Sequence, residues 1–199
     1  MGLLGAIGFS LALLSLTQIH QCSAQGCKIL SATSTSASSI LIRWEGYPGA
    51  TSYLLDTRMK NSIDTAPIIV VVSGLVTERT VQGLSPGTEY HVALKVIKFL
   101  SVDCVTSVSV LTVPDTSQFT QGWSQSSTSI TLRWTTVPSA QYYILQVNPQ
   151  TTGNMLNFTL INTTAVVTNL QPTTNYNCYV YTANQAGLGG RSKVRTITT

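Results

Sequence analysis

Charge is scarce in this sequence. Asp, Glu, Lys and Arg make up 9% of its 199 residues, against roughly a quarter in an ordinary soluble domain. That scarcity excludes a coiled coil, a long charged helix and a highly charged disordered tail. Two His and seven carboxylates are thin material for acid–base catalysis or metal ligation. Seven Pro and fourteen Gly are too few for collagen or a low-complexity linker. What is abundant is Ser and Thr, about a quarter of the chain. These counts disfavour an enzyme and favour a secreted all-β protein.

The first 24 residues read as a targeting segment. Leu3 to Leu16 is almost wholly apolar and uncharged, and it is shorter than the roughly 20 residues that span a bilayer. Cys22, Ser23 and Ala24 supply small residues for cleavage after Ala24. The segment departs from the usual pattern in having no Lys or Arg before the apolar run, and the alternative is an uncleaved anchor. No second apolar stretch of membrane length follows, so no membrane span is expected in the mature chain. No hydrophobic tail marks a lipid anchor. Cys22 would leave with the signal, so the mature chain keeps Cys27, Cys104 and Cys178, one of which lacks a partner within the chain.

The remainder repeats itself. Ile40-Leu41-Ile42-Arg43-Trp44 returns as Ile130-Thr131-Leu132-Arg133-Trp134, and Pro48, Ala50 and Tyr53 return as Pro138, Ala140 and Tyr143. Leu84-Ser85-Pro86-Gly87-Thr88-Glu89-Tyr90 returns as Leu170-Gln171-Pro172-Thr173-Thr174-Asn175-Tyr176 after a slightly shorter interval. Copies of this length are tandem domains, because solenoid repeats run about 20–50 residues. Within each copy the apolar period is two, as at Ile40, Ile42 and Trp44, and turn signals such as Pro48-Gly49, Ser73-Gly74 and Pro86-Gly87 punctuate it. Half-buried strands with such spacing predict a β-sandwich.

An aromatic strand ending in Trp, then Ala-x-x-Tyr, then Leu-x-Pro-x-Thr-x-Tyr resembles the fibronectin type III domain, and both copies carry it. The 176–180 and 183–191 stretches are similar to a narrower group of fibronectin type III domain-containing proteins. The resemblance implies two tandem immunoglobulin-like β-sandwiches, at 25–113 and 114–199, with the boundary near Pro114-Asp115. It makes Trp44 and Trp134 structural core residues of the second strand. It makes Tyr90 and Tyr176 tyrosine-corner residues, whose hydroxyls bond back to nearby backbone. It also puts Cys27 at the start of the first strand and Cys104 in the loop before the last, at one pole, where a disulfide can form. The alternative is two separate thiols or bonds to other chains. Cys178 is expected to point into the core as an inert thiol.

Asn157-Phe158-Thr159 and Asn162-Thr163-Thr164 are N-glycosylation acceptors on one flank of the second domain. All seven carboxylates lie between Glu45 and Asp115, whereas Arg133, Arg191, Lys193 and Arg195 follow with no further acid. Arg191, Lys193 and Arg195 alternate, so a regular strand would set them on one face. Such a row would meet an acidic partner or a sulfated glycan; the alternative is a solvated edge guarded by cations. Nucleic acid is not expected as a partner of an exported chain with so short a basic row. Trp123-Ser124-Gln125-Ser126-Ser127 faintly resembles the Trp-Ser-x-Trp-Ser box of cytokine receptors but lacks the second Trp. Leu55-Asp56-Thr57 sits in a predicted strand, and Arg-Gly-Asp is absent.

No nucleophile has a motif-placed base, His91 is expected to face outward, and no phosphate-cradling loop, metal cluster or cofactor motif occurs. The expected function is therefore a non-catalytic, secreted or cell-surface module that recognises an extracellular protein ligand. The alternative is a glycosylated structural spacer, alone or within a longer fibronectin type III array; a cytokine-receptor-like binder would need the missing box and paired cysteines in the first domain.

Overall fold

The computed structural model describes residues 26–62, 65–151 and 153–199; the targeting segment lies outside them. Every regular element described is a strand. The first sandwich has one sheet of β1 (Ile29–Ser36), β2 (Ser39–Trp44) and β5 (Glu78–Gln82), in the order β1-β2-β5. Against it lies a sheet of β3 (Ser52–Met59), β4 (Ile68–Ser73), β6 (Glu89–Lys98) and β7 (Ser101–Leu111), in the order β4-β3-β6-β7.

The second sandwich repeats the plan. β8 (Phe119–Ser126), β9 (Ser129–Trp134) and β12 (Thr164–Val167) form one sheet. β10 (Tyr142–Pro149), β11 (Leu156–Leu160), β13 (Asn175–Asn184), β14 (Gly187–Arg191) and β15 (Arg195–Thr198) form the other. All pairings are antiparallel.

The period of two produces these layers directly. Ile40, Ile42 and Trp44 face Tyr53, Leu55, Val92, Leu94 and Val96 across the first core. Ile130, Leu132 and Trp134 face Tyr143, Leu145, Val147, Cys178 and Val180 across the second. Trp44 and Trp134 are buried. Each stands against the repeated tyrosine, with ring centroids 5.3 Å apart for Trp44–Tyr53 and 5.9 Å for Trp134–Tyr143, a spacing that favours tilted aromatic pairs.

Tyr90 accepts a hydrogen bond from the Ser85 amide and Tyr176 one from the Gln171 amide, both at 2.8 Å. Tyr53 and Tyr143 do the same for the Tyr47 and Val137 amides, at 2.7 and 2.9 Å. Each of these rings is thus buried while its hydroxyl is satisfied.

The covalent staple belongs to the first sandwich. Cys27 and Cys104 form a disulfide, at a sequence separation of 77 and with Cα atoms 5.9 Å apart. Cys104 does not lie in the loop before the last strand, as expected. It lies within β7, opposite Val96, because that strand begins at Ser101. Cys178 is fully buried, and burial pushes its thiol up to about 12. At physiological pH it stays a neutral, shielded thiol.

The connecting segment is itself packed. Thr112, Val113 and Pro114 are buried. Asn184 donates from Nδ2 to the Thr112 carbonyl (2.9 Å) and Thr182 from Oγ1 to the Asp115 carbonyl (2.7 Å). A Cβ on Gly189 would collide with Thr182 Oγ1 and the Pro114 carbonyl, and one on Gly190 with Thr116 Oγ1. The Gly189-Gly190 pair is therefore what lets β14 approach the connection this closely.

Candidate recognition surfaces

The strand order sends three connections of the first sandwich to the pole farthest from the link: 45–51, 74–77 and the β6–β7 turn. The first two are braced together. The Gly74 amide donates to the Thr51 carbonyl (3.0 Å), and a Cβ on Gly74 would collide with the Ala50 backbone.

Phe99 and Leu100 alone connect β6 to β7, since Lys98 pairs with Ser101. Both have positive φ, 49° and 68°. A two-residue hairpin with both centres in this region is the type I′ turn, which Asn-Gly fits best. Bulky residues there cost roughly 1–2 kcal/mol each. Phe99 is 83% exposed, Leu100 fully so, and Leu75 in the neighbouring connection 94%. Three large apolar side chains thus stand in water at one pole, two of them on strained backbone.

The outer face of the β4-β3-β6-β7 sheet carries a charge cluster. Asp56 is buried to 5% exposure, and its carboxylate accepts from Arg58 Nε (2.9 Å) and Nη2 (3.1 Å) and from Lys95 Nζ (3.0 Å). The Arg58 hydrogen bonds hold its pKa below the usual carboxylate value, against the opposing effect of burial. A carboxylate with a lowered folded pKa stabilises the fold above its unfolded pKa, and that contribution is lost as pH falls through the folded value. The melting-temperature deficit of Asp56→Asn should therefore be largest near neutrality and should close as pH drops below about 4. A deficit that stays constant down to acid would show that the cluster contributes through packing alone.

The basic residues of the second sandwich do not share one face. Tyr181 pairs with Arg191, but Cys178 pairs with Arg195. Three steps along β13 are matched by four steps along its partner, so one residue is extra. Ser192 absorbs it: the Ser192 amide donates to the Val180 carbonyl, and its hydroxyl accepts from the Val180 amide, both at 3.0 Å. A one-residue insertion reverses which face every later side chain meets. Arg191 consequently stacks over Tyr179 on the outer face, 4.6 Å from the ring centroid. Arg195 turns to the sandwich edge and donates to the Gly122 carbonyl on β8 (3.2 Å). Lys193 is exposed in the break between them.

Asn157 lies exposed on edge strand β11, and Asn162 exposed in the connection to β12. His91 faces solvent. Trp123 is held by Arg133, whose guanidinium lies 5.6 Å from its ring centroid. Among the described residues, no group of three His, Cys, Asp or Glu is placed to hold a metal, and no helix is long and apolar enough to cross a membrane.

Residues 114–198 match the family model of the fibronectin type III domain. Among solved structures, the chain is similar to the chicken CNTN1 FN1-FN3 domains at 18% identity and a TM-score of 0.48. That match covers 87% of this chain and 66% of that one, just under two thirds. It is also similar to a two fibronectin type III domain segment from chicken tenascin at 19% identity and a TM-score of 0.46, covering 87% of this chain and 97% of that one.

Proposed function

We propose that this chain, a fibronectin type III domain at 114–198 preceded by a sandwich of the same strand order, is an extracellular non-catalytic recognition module. Its ligand is a protein, met at the free pole of the first sandwich. The observation that supports this is the Phe99-Leu100 turn. Exposed apolar side chains on unfavourable backbone are retained where they serve something other than stability. The disulfide fits an oxidising compartment, and glycans on Asn157 and Asn162 would occupy the far sandwich, leaving the pole open.

The spacer alternative draws on the packed connection at 112–114, which would fix the distance between the two ends. A sulfated glycan is less well served, since Arg191 and Arg195 are turned apart by the bulge.

The test is a multimerised, glycosylated 25–199 protein screened against a panel of extracellular proteins, beside the double variant Phe99→Asn/Leu100→Gly. Multimers raise weak single contacts to a readable avidity. We expect a saturable hit that the variant loses by at least about tenfold, a difference of 1.4 kcal/mol, while its melting temperature rises because the turn is relieved. Hits shared equally by both proteins, or none saturable, would overturn the assignment and favour the spacer.

A further inference from the structure

The two sandwiches leave their sheet edges in different states. An unpaired strand edge is a template for another strand unless charge, proline, shortness or a cover blunts it. In the first sandwich, β1 packs beside β7, and the Cys27–Cys104 bridge closes that side. The β5 edge carries Glu78 and Arg79. In the second, β8 packs beside β15, β12 is four residues long, and β11 bears the Asn157 acceptor with Asn162 just beyond it.

β4 has none of these defences. Ile68-Ile69-Val70-Val71-Val72-Ser73 ends its sheet and contains no charge and no proline. Ile69 and Val71 point outward and are 47% and 62% exposed. On the inner side a groove of about 500 Å³ opens beside the strand, lined by Ile68 and Val70 and, across it, by Leu41, Thr80 and the polar Glu78, Arg79 and Gln82 of the β5 side.

From this edge we propose that the chain self-associates, β4 pairing antiparallel with β4 of a second copy to form one continuous eight-stranded sheet. A second copy is the occupant the sequence suits. With the twofold axis at Val70, Ile69 meets the partner's Val71, and Ile68 meets the partner's Val72. Inner side chains then face inner ones and outer face outer, as the pleat requires. The pairs from Ile68 to Val72 are all β-branched, the kind of cross-strand contact that stabilises a sheet, and the ladder ends where Ser73 meets the partner's Pro67. Pro67 and Gly74 bracket the strand and limit sliding.

Charge permits the contact here and opposes it elsewhere. Residues 25–113 hold seven cations and six carboxylates, whereas 114–199 hold four cations and one carboxylate. Asp56, which pairs with Ile69 in the ladder, already has its own cations. Two first sandwiches, each with one excess cation, therefore meet with little net repulsion, while two second sandwiches, each with three, repel more strongly. The contact does not involve the free pole, so its success or failure is separable from the recognition role.

Analytical ultracentrifugation of the glycosylated 25–199 protein, up to about 0.1 mM where weak interfaces register, tests this. We expect a concentration-dependent dimer. Ile69→Lys and Val71→Lys, both at exposed positions, should each weaken it at least about tenfold with unchanged circular dichroism. Phe99→Asn/Leu100→Gly should dimerise as the parent does. In hydrogen exchange, β4 amides should gain protection as concentration rises. A monomer throughout the range, a dimer indifferent to both Lys variants, or a dimer lost only in the Phe99/Leu100 variant would each overturn the proposal.

Discussion

Replacing Cys27 and Cys104 together by Ala should lower the unfolding midpoint of the first sandwich by about 20 °C and leave the second nearly unmoved. The bridge closes a loop of 77 residues in sequence separation. On the chain-entropy account, a loop of that size restrains the unfolded chain by about 4 kcal/mol. For a domain of this size each kcal/mol shifts the midpoint by about 4–8 °C. The second sandwich has no such restraint, since its Cys178 is unpaired and buried. Calorimetry of the mature protein with and without reductant checks this. Two transitions should appear, and only the higher should fall on reduction. A single transition that shifts as a whole would show that the buried connection couples the two cores more strongly than the bridge separates them.

The second large effect falls on the unstapled core. Trp134→Ala should destabilise the second sandwich by about 4 kcal/mol, in the range for truncating a buried aromatic, a large share of a small domain's whole stability. The indole is 3% exposed and packs edge-on against Phe119 at 6.2 Å and Tyr143 at 5.9 Å. Its loss removes a wall from both neighbours, and Tyr143 in turn orients the 135–141 connection through the Val137 amide. Trp134→Phe should cost far less, because the buried Nε1 has no hydrogen-bond partner to lose. Denaturant unfolding followed by tyrosine and residual tryptophan fluorescence compares the two. Equal losses for Phe and Ala would mean that the ring's shape, rather than its burial, sets the cost.

The architecture was legible because the same constraint is written twice. Trp44 and Trp134, and Tyr90 and Tyr176, occupy matching positions, and chance seldom repeats an ordered set of aromatics with its turn residues. What escaped the sequence were departures from local chemistry. Phe99-Leu100 carries no Gly, Asn or Asp, so nothing marks a turn there. Without a turn signal there, the sequence places Cys104 in the loop before the last strand rather than within it. The bulge at Ser192 escaped for a related reason. Arg191, Lys193 and Arg195 alternate along the sequence, and alternation cannot reveal a residue inserted on one strand only. The hydroxyl that fills the gap belongs to an ordinary Ser. In both places tertiary pairing overrode a local pattern, and both places carry candidate recognition residues, where such conflicts tend to gather.

The placement of the disulfide also governs how the pair would bear tension. Pulling on its two ends loads the first sandwich through Cys27, and the bridge passes that force straight to Cys104 in the last strand. The chain between them, a sequence separation of 77, cannot lengthen, which withholds about 270 Å of contour at ~3.5 Å per residue. The second sandwich has no covalent shortcut: β15 meets β8 through packing and the Arg195–Gly122 hydrogen bond. Under load it would yield first and furthest, while most of the first sandwich's surface stayed in register. The two repeats, alike in fold, would act as an extensible segment in series with a nearly inextensible one.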